Sequence, residues 1–514
     1  MSTQTSENNK RIAKNTIYLY LRMFFSMAVS LYTGRVVLAT LGVLDYGIWN
    51  VVAGVIGMFS FLNASMAGCT NRFLSFEIGK KNEEGLQKVF SASLSVHLII
   101  ALVVFLGAET VGLWFLQEKL VIPADRVNAS FFIYQVAVIS SIVGIIEVPF
   151  RSMIMANEKM NVYAYVEILN TGLRLIIVYI LTFVSFDKLK AYGVLNVCVG
   201  VSIFAIYFFY CNRNLRSCKT KLSLDKSIVK PMLGFSVWDL YGNASVVMRT
   251  QGVNMLLNMF FTATMNAASA VATSVQNAVM AFARNVLTAF RPQIVKTYAE
   301  GNYVVMVDLI RKASILTTFL LLIFTIPLLI ETDYVLKLWL KNPPEYAAIL
   351  CRWVLIFNVI ANLSTVLVSG VHATGYIKRS SFVNGTFYLL VIPFSYVAYR
   401  YALPAEVAFV FNVVAVCCGM AQNAFVLSKY VVEFKKKVFF RDVVFKYTIV
   451  FSIDVFVVLC CRNQIEEGFF RLIVVSFLNV FLLSFLTVVY VANREERCFL
   501  LRKIKSLYSV FKHK

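Results

Sequence analysis

The chain has 514 residues, of which 59 % are hydrophobic and only 15 % charged, and its formal charge is +22. Soluble domains carry about 25 % charged residues, so the composition excludes a globular protein held by a single anchor. A basic balance is also the footprint of nucleic-acid binding. Here, however, Lys and Arg follow one set of connections between apolar stretches, as a membrane topology requires.

Fourteen apolar stretches fill the sequence, at 15–40, 46–71, 89–113, 127–150, 161–184, 192–211, 231–261, 264–290, 313–330, 346–371, 380–399, 405–428, 442–461 and 468–492. A hydrocarbon core about 30 Å thick needs roughly 20 apolar helical residues to cross it. Backbone polar groups must pair within the segment there, so each stretch is expected to be a transmembrane helix. With the N-terminus in the cytosol, 33 of the 49 Lys/Arg fall on cytoplasmic connections, 8 on the other side and 8 within spans. That asymmetry is the positive-inside pattern, and an even span count puts both termini in the cytosol. Met1 to Lys10 is polar, so a cleaved signal peptide is not expected there.

The basic segment 212–230 follows the sixth span and divides the chain. The expected organisation is an N-terminal six-helix bundle (1–211), a cytoplasmic linker (212–230), a C-terminal six-helix bundle (231–428), two further helices (429–492) and a basic amphipathic cytoplasmic tail (493–514). Two local matches support a duplication. Met155-Ala156-Asn157-Glu158-Lys159 resembles His372-Ala373-Thr374-Gly375-Tyr376, and Phe76-Glu77-Ile78-Gly79 resembles Tyr298-Ala299-Glu300-Gly301. Repeats with an even helix number face the same way, as in many transporters. In the tail, Leu500, Ile504, Leu507 and Phe511 recur at helical spacing among basic residues, the pattern of an interfacial helix on an anionic leaflet.

Polar residues inside the spans form stripes. An arginine near the centre of a lone spanning helix costs roughly 2.5–3.5 kcal/mol on insertion scales, so such residues are expected to line an aqueous interior. Asn15, Tyr18, Arg22, Ser26 and Thr33 share a face of the first span. Asn50, Ser65, Gly68 and Arg72 share one on the second. Asp239, Asn243, Gln251, Asn254 and Asn258 do so on the seventh, and Asn266, Ser269, Thr273, Asn277, Arg284 and Arg291 on the eighth. These are corresponding helices of the two halves, so a polar cavity between the halves is expected. The guanidinium groups of Arg22, Arg249 and Arg284 suit phosphate oxygens, while Arg35 lies near the outer end of its helix, where snorkelling competes. Glu147 precedes Arg151 by one helical turn, so local neutralisation competes with a part in ion coupling. Asp239 is the other candidate for ion or proton coupling.

Catalytic patterns are absent. The three histidines, His97, His372 and His513, share no motif, the ten cysteines show no metal-ligand spacing, and no phosphate-binding Gly-rich loop occurs. The expectation is no enzyme, no cofactor and no metal.

Tyr32-Thr33-Gly34-Arg35-Val36-Val37-Leu38-Ala39-Thr40-Leu41-Gly42, followed by Asp45-Tyr46-Gly47-Ile48-Trp49-Asn50, resembles the opening of Wzx-type polysaccharide flippases. The Asn15-Thr16 start and the element 156–159 fit the same family, as does the plan of six, six and two helices. These proteins belong to the multidrug/oligosaccharidyl-lipid/polysaccharide exporter superfamily. The resemblance implies an all-α polytopic protein of the bacterial cytoplasmic (inner) membrane, with two bundles around a central cavity open alternately to either side. It implies that undecaprenyl-diphosphate-linked oligosaccharide passes from the cytoplasmic to the periplasmic leaflet for O-antigen, capsule or exopolysaccharide synthesis. The expected partners are that substrate, membrane lipids and a polysaccharide polymerase, with no nucleic acid. Carried onto this sequence, the family's cationic cavity is represented by Arg22, Arg35, Arg249 and Arg284, with Asn50, Asn254 and Asn277 as polar lining. Competing readings are a multidrug/cation antiporter of the same superfamily, which would favour an acidic cavity, and a peptidoglycan-precursor flippase. A membrane glycosyltransferase would instead need a large outer loop, and the outer loops here are short.

Overall fold

The computed structural model describes residues 60–118, 124–215, 217–218, 222–261, 263–340 and 343–493, Arg497, and parts of 11–49. Arg35, Asn50 and the tail beyond Arg497 lie outside the described residues. No strand occurs among those described. After a first helix that includes residues 14–27 come α1 (Ser60–Gly79), α2 (Glu83–Glu118), α3 (Val127–Ala156), α4 (Met160–Phe183), α5 (Lys188–Asn214), α6 (Lys226–Phe260) and α7 (Ala263–Ala299). They are followed by α8 (Tyr303–Ile330), the short α9 (Thr332–Leu340), α10 (Ala347–Thr374), α11 (Lys378–Arg400), α12 (Val407–Tyr430), α13 (Lys436–Arg462) and α14 (Phe469–Val491).

Ten of these, α2–α5, α8 and α10–α14, are long and apolar enough to cross a membrane. The chain is therefore a multi-pass membrane protein. Helices α6 and α7 have 35 and 37 residues, about 50 Å or more at 1.5 Å per residue, which is longer than any hydrocarbon core requires. They fall outside the ten because they carry the polar stripes seen in the sequence.

The chain forms two compact units: Met1–Ala244 with Thr288–Asn302, and Ser245–Leu287 with Tyr303–Lys514. In the first unit, Phe150 is the centre of an aromatic core, with Phe90, Phe204 and Phe208 at ring-centroid distances of 5.3, 5.8 and 5.5 Å. Leu74, Met153 and Tyr207 belong to the same cluster. Near the opposite ends of the helices, α2 makes a π-turn at Ala108–Gly112, and the buried Tyr134 hydroxyl donates to the Ala108 carbonyl at 2.6 Å. A π-turn displaces the regular helical bonds, and Tyr134 supplies a partner there.

The second unit has its own apolar core, with Phe260 and Phe261 against Tyr399, and buried amides tie its helices together. Asn423 is fully buried; its Oδ1 accepts from Ser380 Oγ at 2.5 Å and Asn384 Nδ2 at 2.8 Å, while its Nδ2 donates to Ser364 Oγ at 3.0 Å. This one side chain thereby links α10, α11 and α12. Asn362 Nδ2 donates to Thr317 Oγ1 at 2.9 Å, and Asn479 Nδ2 to the Ile323 carbonyl at 3.0 Å, which fastens α10 and α14 to α8. Such bonds hold helices together where lipid supplies no hydrophobic drive between them. On α14, Phe470, Phe477, Phe481 and Phe485 are exposed at helical spacing, the face expected to meet acyl chains.

The turns of the two matched elements share backbone conformation. Glu158 and Gly375 occupy the same place in their matches, and both are left-handed, with φ of 59° and 81°. In the other pair the left-handed residues are Lys81 (φ 55°) and Gly301 (φ 74°). Each sits in the same helix-ending arrangement, with Asn82 N bonded to the Glu77 carbonyl and Asn302 N to the Thr297 carbonyl. The structural correspondence is therefore Lys81 with Gly301, two residues from the glycine-on-glycine match read in the sequence.

Candidate functional site

The polar stripe of the first helix lies along α4. Arg22 Nη1 donates to the Tyr163 hydroxyl at 2.7 Å, with its guanidinium 5.1 Å from the centre of that ring. Ser26 Oγ meets Thr171 Oγ1 at 3.1 Å, the hydroxyls of Tyr32 and Tyr179 are 3.1 Å apart, and the Tyr18 and Tyr165 rings meet edge-on at 5.8 Å. Beside this seam, Glu147 and Arg151 pair at 3.6 Å, the one-turn neutralisation the spacing allowed. The Tyr207 hydroxyl approaches Glu167 Oε1 at 3.5 Å. Arg22, Glu147, Arg151 and Glu167 all act electrostatically on Tyr163 or Tyr207. Two guanidiniums and two carboxylates thus share one cluster built from four helices. Arg22 is partly exposed on this seam, with the Tyr163 hydroxyl as one of its contacts. Arg174, two turns beyond Glu167, donates to Asn170 Oδ1 at 3.1 Å and Asn196 Oδ1 at 2.8 Å.

The second and seventh stripes meet within the first unit. Asn243 Nδ2 donates to Asp239 Oδ2 at 3.0 Å and to Ser65 Oγ at 3.1 Å. A Cβ on Gly68 would stand 3.8 Å from Asp239 Oδ2, so the small residues of α1 make room for the carboxylate. Arg72 is packed among the rings of Phe73, Phe76 and Phe235, at 4.7, 5.3 and 5.5 Å.

The seventh and eighth stripes also meet, within the second unit. Ser269 Oγ donates to Asn254 Oδ1 at 2.8 Å. Farther along α7, Asn277 and Arg284 are exposed on one face, seven residues apart and so two helical turns. Over its 37 residues α7 carries Arg284, Arg291 and Lys296 but no carboxylate. Arg249 of α6 is buried, with its guanidinium between the rings of Phe357 (5.0 Å) and Tyr388 (4.8 Å). It borders a cavity of about 50 Å³.

Other charges were not legible as partners. At the non-basic end of the first unit, Arg126 bridges Asp45 at 2.7 Å and Asp187 at 3.2 Å, and Asp187 also caps α5 through the amides of Leu189 and Lys190. In the second unit the fully buried Glu331 is held by Arg471 at 2.7 Å and Arg462 at 3.1 Å. At the basic end of the first unit, Glu158 binds both Lys296 and Gln293. These pairs span 61 to 140 residues of sequence, which a one-dimensional reading does not connect. Among the described residues, no group of three His, Cys, Asp or Glu side chains could hold a metal ion.

No known family profile and no curated protein sequence matches this chain. Solved structures do. An outward-facing multidrug resistance MATE family transporter of the MOP superfamily superposes with a TM-score of 0.70 at 15 % identity, covering 83 % of this chain and 97 % of that one. A MATE protein in its bent conformation gives 0.71 at 15 % identity, covering 84 % and 98 %. A MOP superfamily transporter from Pyrococcus furiosus, whose binding pocket is described as having reverse polarity, gives 0.69 at 15 % identity, covering 82 % and 96 %. At this identity the likeness establishes architecture: the chain has the fold of the MATE transporters of the MOP superfamily.

Proposed function

We propose that the protein is a transporter that carries an undecaprenyl-diphosphate-linked oligosaccharide between the leaflets of a bacterial inner membrane, supplying a surface polysaccharide pathway and its polymerase. A sugar–diphosphate head cannot cross hydrocarbon unaided, because its charges and hydroxyls lose their hydration. A transporter that exchanges access between two packings of its helices can replace that hydration while the polyprenyl tail stays in lipid. The observation that carries the anionic cargo is α7, which holds no carboxylate and exposes Asn277, Arg284 and Arg291, while its third cation, Lys296, is taken by Glu158. Arg22, Arg35 and Asn50 are proposed as further head-group contacts, and Asp239 as the coupling carboxylate. The Pyrococcus relative in fold is described as differing in function through the polarity of its pocket, and the same criterion is applied here.

The second reading is a multidrug or cation antiporter. It draws on the multidrug transporters among the structural neighbours and on the Glu147–Glu167–Tyr207 cluster, where a proton or cation could be exchanged. One experiment separates the two. Purified protein in proteoliposomes is given a fluorescent undecaprenyl-diphosphate oligosaccharide in one arm and an organic dye cation in the other. Flipping of the lipid that falls at least tenfold in Arg284→Ala supports the proposal. Dye movement without lipid flipping replaces it with the antiporter.

A further inference from the structure

The cavity beside Arg249 lies wholly within the second unit, among α6, α7, α10 and α12. Arg249 is 8 % exposed, and its Nη1 has no hydrogen-bond partner. The group acting on it electrostatically is the Tyr388 hydroxyl, and no Asp or Glu borders the cavity. A buried guanidinium is normally paired. Phe357 and Tyr388 offer it their ring faces, but neither ring supplies an acceptor to Nη1, and Arg249 borders the cavity.

The rest of the wall also offers donors. Asn254 Oδ1 is occupied by Ser269, so its amide NH2 is the end left without a protein partner. The Gln276 side chain and the Trp353 indole border the same space. Asn412 Oδ1 is buried without a partner, and a half-turn of that amide presents NH2 in its place. The space, about 50 Å³, compares with roughly 10–15 Å³ for one water. It is large enough for a halide.

We propose that this cavity is a binding site for a small inorganic monovalent anion of chloride size, with Arg249 as its cation. The site is separate from the cargo contacts proposed on α7, and it stands whether or not the cargo is a lipid diphosphate. Bound chloride completes the hydrogen bonding of Arg249 and fixes α6 against α10 and α12, so the helices of this unit are held by an exchangeable ion.

Trp353 supplies the readout. A variant retaining only this tryptophan, with Trp49, Trp114, Trp238 and Trp339 replaced by Phe, is placed in nanodiscs in gluconate buffer at constant ionic strength. Iodide is expected to quench its fluorescence with a saturable component, and chloride to reverse that component, whereas Arg249→Gln loses the saturable component. Quenching that is linear in iodide and indifferent to chloride means the cavity holds water, and overturns the proposal. Reversal by pyrophosphate but not by chloride overturns it in favour of a phosphoryl ligand. Should Arg249→Gln fail to fold, chloride reversal in the Trp353-only protein decides alone. Loss of iodide quenching in that protein with lipid flipping intact leaves the proposed function standing, so the two ideas fail independently.

Discussion

Glu331 gives the most direct test of how the second unit is held together. Its carboxylate has no solvent exposure and accepts one charged hydrogen bond from Arg471 and one from Arg462. A hydrogen bond to a charged group contributes about 1.5–3 kcal/mol. The Arg471 side chain is 9 % exposed, so that bond is taken near full value, about 2–3 kcal/mol. The Arg462 side chain is 30 % exposed, and screening reduces its share to about 0.5–1 kcal/mol. Glu331→Ala also leaves the buried Arg471 with only the longer, half-exposed pair to Glu467 at 3.6 Å. The expected loss is therefore about 3–4 kcal/mol, within the range for breaking a buried pair. Arg462→Gln should cost about 0.5–1 kcal/mol. The double variant Glu331→Leu/Arg471→Leu should recover most of the loss, because apolar replacement of a whole buried pair is often close to neutral. Reversible unfolding in mixed micelles, or steric trapping in bicelles, gives each difference. A loss below about 1 kcal/mol for Glu331→Ala, additive with Arg471→Ala, would show that the three charges do not act as a unit.

Gly79 faces the Lys296 backbone so closely that a Cβ would stand 2.7 Å from both its Cα and its carbonyl oxygen; Gly79→Ala should cost about 1–3 kcal/mol, measured by the same unfolding assay, and a neutral result would refute the close packing. Asn423→Leu removes three buried hydrogen bonds and should cost about 1–2 kcal/mol, less than their sum because membrane hydrogen bonds are individually weak. Ser227, through its hydroxyl and its amide, holds the Asp225 carboxyl below the usual range, so its contribution to the start of α6 is present above the unfolded value and lost as pH falls through the folded one. Intrinsic-rate-corrected amide exchange at Ser227 and Val229 should rise there, and in Asp225→Ala it should be raised at every pH. Tyr163→Phe removes the acceptor of Arg22 and keeps the ring; lipid flipping in proteoliposomes should fall by several-fold if Arg22 must be oriented, and an unchanged rate would take Arg22 off the transport path.

Helix order was legible because burial in lipid demands runs of apolar residues, and hydropathy records that demand directly. The polar stripes themselves were legible, but they were expected to line a cavity, and direct contact between them was not: Ser65 meets Asn243, and Ser269 meets Asn254. What the sequence could not supply was the third dimension around each cation. Arg22 and Arg249 look alike as lone arginines in apolar spans. One donates to the Tyr163 hydroxyl of α4, 141 residues away, and the other is flanked by Phe357 and Tyr388, more than 100 residues away. The repeat was legible where conformation and composition agree, as at Glu158 and Gly375. It slipped by two residues at Lys81 and Gly301 because left-handed backbone favours glycine without requiring it, so matching glycine to glycine selected the wrong register.

The distribution of charge separates several carboxylate-paired cations from Arg249. Arg126, Arg151, Arg462 and Arg471 each have a carboxylate within 3.6 Å or less, and Lys296 has Glu158. Each of these cations is therefore balanced inside the protein, and none depends on a ligand. Arg249 is more deeply buried than most of them and has only ring faces. Ring faces offset part of the desolvation, by about 2 kcal/mol in dry surroundings, which is less than the several kcal/mol that burying an ion costs. The difference has to be met from outside the chain, by ions or water entering a cavity lined with amides. A structural guanidinium would have needed only one nearby Asp or Glu. The absence of a carboxylate from the lining of that cavity is what sets Arg249 apart as a site for an exchangeable anion.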